Sequence, residues 1–329
     1  MVRSLSRPEF AATQRIFVVK DGGRPVARLV ARLSPLLRDD EGKPYGLLGF
    51  FEAASGHPEA VALLFAEAIS WLRETGAGAI VGPMDGDTWH RYRLNVGPFG
   101  DPPFLSEPYN PPYYQRLWES NGFAVLSRYY SKRVDAGEVV SHLQARHRAA
   151  LDAGYRLRPL DLLRLPEELR LLYALSRRIF AKNFLYTEIP EQEFVALYEG
   201  LGSLLDPELV WFARSPEGED VGFLFAYPDR FRAVAAMQGG RGLVAKFRFL
   251  LHRHLIPAVD FKTLGVLPEH RRSGVAAALF YEGHARAIEK GWRAANHCLF
   301  REGNPSGDLD GGAGRILRTY HLYRWEAPS

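Results

Sequence analysis

Sixteen residues constrain this chain more than any others: Leu264 to Leu279, LGVLPEHRRSGVAAAL. A strand-forming run, Val259 to Val266, stops before Pro268, which has no N–H to offer a ladder. A polar turn of five residues follows, and Gly274 then opens a helix of small residues, Val275-Ala276-Ala277-Ala278. A strand, a basic glycine-containing turn and a helix N-terminus together make an anion site. The first-turn N–H groups point outward without intrahelical partners, and the helix dipole favours negative charge. Gly274 lets the backbone approach a ligand closely, and Ala276 keeps bulk low where a diphosphate would sit. Arg271 and Arg272 offer guanidinium forks to phosphate oxygens.

At 329 residues the chain suggests about two domains. Short β-rich runs come first: Ile16 to Lys20, Val26 to Leu33 and Tyr45 to Phe51, the first two joined by Asp21-Gly22-Gly23. His57-Pro58-Glu59 opens a helix with apolar residues at Val61, Leu64, Phe65, Ala68 and Leu72, a 3.6-residue period, and Gly76 closes it. The strand Ala79 to Val81 leads into a Gly/Pro-rich surface segment, 82–112, of the length that is functional or disordered. A helix from Tyr113 to Ser120 and the strand Phe123 to Arg133 complete a unit. The polar helix 135–154 reads as a linker. The second unit has a strand at Tyr155 to Arg158, helices at Pro166 to Lys182 and Pro190 to Leu201, and a hairpin from Leu209 to Tyr227. The basic stretch Arg241 to His254 precedes the motif strand, and the helix Gly274 to Lys290 follows it. The strand Ala294 to Leu299, a Gly-rich segment and a last strand, Ile316 to Arg324, close the unit. GFAVLSRYYSKR at 122–133 and GRILRTYHLYRW at 314–325 suggest a weak internal repeat, hence two tandem copies of one α/β (α+β) fold. The expected division is 1–134, the linker 135–154, and 155–329.

Composition excludes several classes. Lys+Arg (42) nearly balances Asp+Glu (38), a net charge of +4, so there is no nucleic-acid signature, although the small basic excess suits an anionic small molecule. The single cysteine, Cys298, allows no intrachain disulfide and reads as a buried mid-strand thiol. No run approaches a transmembrane helix and the N-terminus has no secretory apolar core, so a cytoplasmic protein without a membrane partner is expected. His252 and His254 lack a carboxylate partner at ligand spacing, and no metal is expected. The Arg241 to His254 stretch reads as a basic face over phosphates or as plain solvated charge. Gly311 to Gly314 lacks the Lys-Ser/Thr of a phosphate loop.

The pattern V-x-P-E-x-R-x-x-G-x-A, here Val266 to Ala276, resembles the acetyl-CoA-binding motif of the GCN5-related N-acetyltransferases. Glu302-Gly303-Asn304 after a strand, and Tyr114…Asn121-Gly122-Phe123 in the first half, are similar to further family features. The resemblance implies two tandem domains of that fold, each a mixed twisted sheet flanked by helices, with one working acetyl-CoA site. The first half's turn, Glu52 to Pro58, lacks the basic pattern.

By that resemblance the amides of Arg272, Ser273, Gly274, Val275 and Ala276 hold the pyrophosphate, with Arg271 beside them. The strand Leu264, Gly265, Val266 takes the pantetheine, which Asn304 also meets. The family's acid is a tyrosine after the asparagine, where this chain has PSGDLDGGAGR. The nearest tyrosines, Tyr320 and Tyr323, are three apart, so at most one faces a cleft. Glu302 and His297 are base candidates. Asp229 and Glu188 are loop carboxylates suited to an amine, and Asn183, Tyr186 and Glu188 lie where the fold shapes acceptor choice. The expected activity is direct transfer from acetyl-CoA to a small amine in a ternary complex. The alternatives are a catalytically inactive CoA-binding regulator and a tandem acyltransferase of the mycothiol synthase type. Whether the chain forms a homodimer stays open.

Overall fold

The computed structural model describes residues 13–199, 205–253 and 258–326. Its first half begins with antiparallel strands β1 (Gln14–Asp21), β2 (Arg24–Arg38) and β3 (Pro44–Ala53). Helix α1 (Pro58–Glu74) returns the chain to β4 (Ile80–Gly82), which pairs parallel to β3. The α1 residues Val61, Leu64, Phe65, Ala68 and Leu72 are all buried, so the 3.6-residue stripe is the face packed on the sheet. Segment 83–113 is irregular apart from β5 (Leu94–Gly97), a strand too short to read from sequence. Helix α2 (Tyr114–Glu119), β6 (Phe123–Asp135) and α3 (Ala136–Asp152) follow. Asp135 caps α3 by accepting from the Gly137 and Glu138 amides.

The second half contains β7 (Arg156–Pro159), α4 (Leu165–Phe180), α5 (Glu191–Glu199), β8 (Val210–Arg214) and β9 (Asp220–Pro228). Two short helices, α6 (Phe231–Ala236) and α7 (Leu243–His252), separate β9 from β10 (Ala258–Val266). Helix α8 (Val275–Glu289) joins β10 to the parallel strand β11 (Ala294–Arg301), and β12 (Arg315–Trp325) ends the fold. The expected helix to Leu201 runs into residues outside those described.

Both halves thus carry antiparallel strands that lead into a parallel β–α–β step, β3–α1–β4 and β10–α8–β11. Among the described residues the strands form one 12-stranded sheet in the order β1-β2-β3-β4-β12-β6-β11-β10-β9-β8-β7, with β5 off this path and paired with β12. At its centre the closing strands are exchanged. β12, from the end of the chain, lies against β4 of the first half, while β6 lies against β11 of the second. The two pair antiparallel with each other along nearly their whole length. The repeated segments noticed at 122–133 and 314–325 are these two strands.

Helix α8 covers one sheet face, packed so closely that a Cβ on Gly283 would meet the Leu224 side chain at 2.4 Å and Phe261 at 2.8 Å. On the opposite face, Ile179 and Phe180 at the end of α4 lie within 3.2 Å of where a Gly265 Cβ would be. The 98–110 segment crosses that second face over the centre of the sheet: the Tyr227 hydroxyl donates to the Leu105 carbonyl, and Arg318 donates to the Asp101 carbonyl.

Candidate active site

The parallel ladder of β10 and β11 runs only from Ala258↔Ala294 to Phe261↔His297. Beyond it the strands part. Leu299 has φ +60°, and the β11–β6 register shifts between His297 and Phe300, so a bulge turns β11 away. The gap is a half-open crevice of about 330 Å³ including its mouth, with Leu224, Phe261, Phe280 and Phe300 on its apolar walls and Lys262 and Cys298 among its polar groups. From Lys262 to Val266 the edge of β10 that faced β11 has no strand partner among the described residues. The Pro268 turn and α8 begin where that edge ends.

Gly274 sits at the cap of α8 with φ +82°, the left-handed conformation that glycine adopts without strain. A Cβ there would find only the Arg146 carbonyl at 3.6 Å and the Ala150 Cβ at 3.9 Å, so space remains before the helix end. Arg272 is exposed. The Arg271 guanidinium instead turns back and donates to the carbonyls of Val266 (3.4 Å) and Ile179 (3.2 Å), fastening the turn to α4. The Ser273 hydroxyl donates to the His270 carbonyl at 2.8 Å. Val275 is buried and Ala276 half-buried. Leu264 lines the crevice, while Gly265 serves helix packing through its missing side chain. Asn304 caps a short 3-10 turn, its Oδ1 accepting from the Ser306 amide and hydroxyl, and thereby sets Ser306 at the crevice.

The remaining expected residues scatter. Glu302 is exposed on the sheet surface, accepting from Tyr130 Oη (2.8 Å) with Arg128 3.9 Å away. Tyr323 is fully buried in the first half's core and its hydroxyl bonds to Glu119 at 3.1 Å, so the two tyrosines serve different places. Tyr320 is also buried, but its hydroxyl contacts Glu107 and lies 3.0 Å from Ser131 Oγ. Glu188 pairs with Arg177 at 2.9 Å on the surface, and Asn183 is exposed. The Tyr186 ring packs edge-on to Trp89, and burial raises its hydroxyl to about 12. Trp89, from segment 83–113, donates to the Thr187 carbonyl at 2.8 Å, so that segment does reach the 180–190 region. His297 packs among Phe261, Phe280 and His284, its Nε2 3.0 Å from His284 Nε2. His284 Nδ1 donates to the Phe280 carbonyl, so its Nε2 accepts and His297 donates. Burial holds both rings neutral, His284 down to about 4.

Of the charged residues behind the crevice, sequence reasoning named Asp229 and missed Asp260, Lys262 and Glu107. Asp260 is 0% exposed. Its Oδ1 accepts from Asn296 Nδ2 at 2.7 Å, and its Oδ2 has no hydrogen-bond partner among the described residues. Burial, reinforced by the like charge of Asp229, pushes the Asp260 carboxyl well above its usual range. Asp229, buried at the end of β9, is raised by burial too, although its oxygen accepts from the Phe231 amide at 3.0 Å. Lys262 lies two residues beyond Asp260, and burial lowers its ammonium. Glu107, carried in by the 98–110 segment, accepts from the Phe104 amide (3.1 Å) and from Tyr320, with Arg318 3.4 Å away. Burial raises this carboxyl as well. Desolvation likewise raises the Cys298 thiol, so it is no thiolate nucleophile. Asp260 and Lys262 alternate in an otherwise apolar strand, a legible signal. Glu107 carries none, because it meets Tyr320 across 213 residues.

A GCN5-related glucosamine N-acetyltransferase region from a fungal multi-domain GH3 β-N-acetylglucosaminidase superposes over 95% of this chain and 33% of that one, with TM-score 0.54 and 16% identity. The chain has the GCN5-related N-acetyltransferase fold. The match spans both halves of this acetyltransferase fold. No protein-family profile matches the sequence. Among curated proteins, bacterial ceramide synthase of Caulobacter vibrioides is 29% identical over 230 residues, covering 69% of this chain and 59% of that protein. Protein YghO of Escherichia coli is 25% identical over 228 residues, 68% and 57% respectively. The matched region thus spans somewhat under three-fifths of the length of these relatives.

Proposed function

We propose that this protein is an acyl-CoA-dependent N-acyltransferase. The observation that carries the reading is the parting of β10 from β11. It joins a left-handed glycine cap and exposed helix end on one side to buried carboxylates on the other. Bound there, acyl-CoA supplies an activated acyl thioester. The amides of Arg272, Gly274 and Ala276 fit the diphosphate, those of Ser273 and Val275 being taken by the His270 carbonyl and the Ser273 hydroxyl, and the edge of β10 at Leu264 to Val266 fits the extended pantetheine arm. The apolar walls of the crevice exclude water.

The acceptor reading rests on charge. Asp260 Oδ2 is an unpartnered acceptor in a buried site, and Asp229 stands near it. An ammonium group would compensate both. Asp260 and Glu107 hold protons more tightly than exposed carboxylates, so either can take the proton that an amine must lose before it attacks. Lys262, at the crevice with a lowered ammonium pKa, is the candidate to protonate the departing sulfur. Glu302 and Tyr323 are not proposed for these roles, since Glu302 is exposed and engaged by Tyr130 and Arg128 and the Tyr323 hydroxyl lies beside Glu119.

The relative named bacterial ceramide synthase supports an amine carried on a long-chain amino alcohol, because a ceramide is the fatty amide of such a base. A small water-soluble amine and acetyl-CoA remain the alternative pair. The deciding experiment measures thiol release and amide mass with acetyl-CoA and palmitoyl-CoA, against long-chain amino alcohols, polyamines and amino sugars. Amine-dependent release with one donor class is expected. CoA binding without release across the panel would replace the reading by a CoA-binding regulator.

A further inference from the structure

Helix α7 is built inside out. Its inward residues are Ala245, which is buried, and the half-buried Phe249 and His252. Its outward residues are apolar and strongly exposed: Leu243 (84%), Val244 (67%), Phe247 (62%), Leu250 (53%) and Leu251 (60%). At about 100° per residue these five form one continuous stripe, with Lys246 on one flank and Arg248 on the other. A surface helix ordinarily turns such a stripe to the core and its charges to water. Here the core side is already filled and the stripe faces outward.

The charge around it is one-sided. Between Asp229 and Asp260 there is no Asp or Glu, while Arg230, Arg232, Arg241, Lys246, Arg248 and Arg253 all fall in that interval. The whole chain carries only +4, so without these six it would be slightly acidic. The interval stands at the N-terminal end of β10, away from the Gly274 turn at the other end. Arg230 donates to the Arg253 carbonyl, and Arg248 reaches Gln238 at 2.8 Å, so the two helices are clasped into one platform.

From this we infer that α7 is a docking element for the surface of an anionic phospholipid bilayer. The apolar stripe would lie at the acyl boundary, and the flanking cations would meet lipid phosphates. Ten residues of helix reach about 15 Å, half of a bilayer core, so α7 lies on the membrane and does not cross it. Among the described residues no helix is long and apolar enough to cross one. The earlier expectation of no membrane partner rested on spanning runs, which do not bear on a helix lying flat. A second copy of the chain fits poorly, because a two-fold contact would set the same flanking cations, Lys246 and Arg248, against each other. Docking does not depend on the reaction proposed above.

The test is flotation of the full chain with vesicles of phosphatidylcholine containing phosphatidylglycerol, and with phosphatidylcholine alone, at low and high salt. Binding to the anionic vesicles that weakens with salt is expected. The triple variant Phe247→Ser, Leu250→Ser, Leu251→Ser should lower partitioning at least tenfold, and Arg241→Glu with Lys246→Glu should do the same. CoA affinity should stay unchanged in all of them, showing that the fold is intact. No flotation with anionic vesicles at low salt would overturn the inference, as would flotation undiminished in the triple variant. Light scattering that shows a lipid-free dimer dissociated by the triple variant would overturn it in favour of a second copy.

Discussion

Replacing Asp260 by asparagine should make the protein more stable and a poorer catalyst. The carboxyl is 0% exposed, its Oδ1 accepts one bond from Asn296, and its Oδ2 has no partner among the described residues. Its proton affinity is raised above that of the unfolded chain, so the native state binds the extra proton. Stability therefore falls as pH rises from about 3.8 to the raised native pKa, by up to about 1.4 kcal/mol for each pH unit. Asp260 and Asp229 take up protons as a pair, so the loss is shared between them. Asparagine keeps the acceptor oxygen for Asn296 and removes the charge. What remains is a neutral unpaired amide, which costs about 1–3 kcal/mol, less than a buried carboxylate. At neutral pH the variant should therefore unfold at a higher temperature than wild type, each kcal/mol gained raising Tm by about 2–4 °C. The difference from wild type should grow with pH from about 4 and then level. Losing a charge-assisted contact to the acceptor ammonium costs about 1.5–3 kcal/mol, so kcat/KM for the amine should drop about 10- to 150-fold. Denaturant melts across pH and steady-state kinetics check both halves. A variant that is less stable at neutral pH and turns over normally would show Asp260 to be a structural group and refute the reasoning.

Two further outcomes follow from the geometry. Gly274→Glu should lower CoA affinity by a hundredfold or more in a calorimetric titration, since a carboxylate near a diphosphate is repelled by several kcal/mol at low effective dielectric. Gly274→Ala is the control. The Cβ has room, so it costs only about 1–2 kcal/mol of left-handed strain and should keep CoA affinity, and equal affinities for Gly274→Glu and wild type would remove the diphosphate assignment. His284 should stay neutral well below its ordinary pKa, because burial lowers it to about 4. Its native pKa lies below the unfolded one, so its stabilisation is present above about pH 6.5 and is lost as pH falls toward 4, about 3 kcal/mol in total. The stability difference between wild type and His284→Leu should shrink by that amount over the same range, where the carboxylate contributions cancel. A constant difference would contradict it.

The strand–turn–helix backbone of the motif was legible because its signals are local, although the Arg271 side chain answers to the distant Ile179 carbonyl. A proline that ends a strand, a glycine that can take φ +82° and a run of alanines act within sixteen residues, and no distant contact alters what they do. The same holds for α1, whose apolar spacing is its buried face. Glu302 and Tyr323, both expected as catalytic candidates, end up in different places for the opposite reason. A strand sends neighbouring side chains to opposite faces, and which face is wet depends on elements far along the chain.

What the sequence by itself determined was the strand, glycine turn and helix start of the motif, the two-fold repetition and the balance of charge, each a matter of residue type and short spacing. Tertiary structure alone decided that the closing strands exchange, that Glu107 meets Tyr320, and that Asp260 is dry and half-partnered. It also decided that the apolar side of α7 faces out. These are long-range outcomes, because burial and partnership depend on which segments the fold lays over a residue, and one strand pattern can be covered or left open.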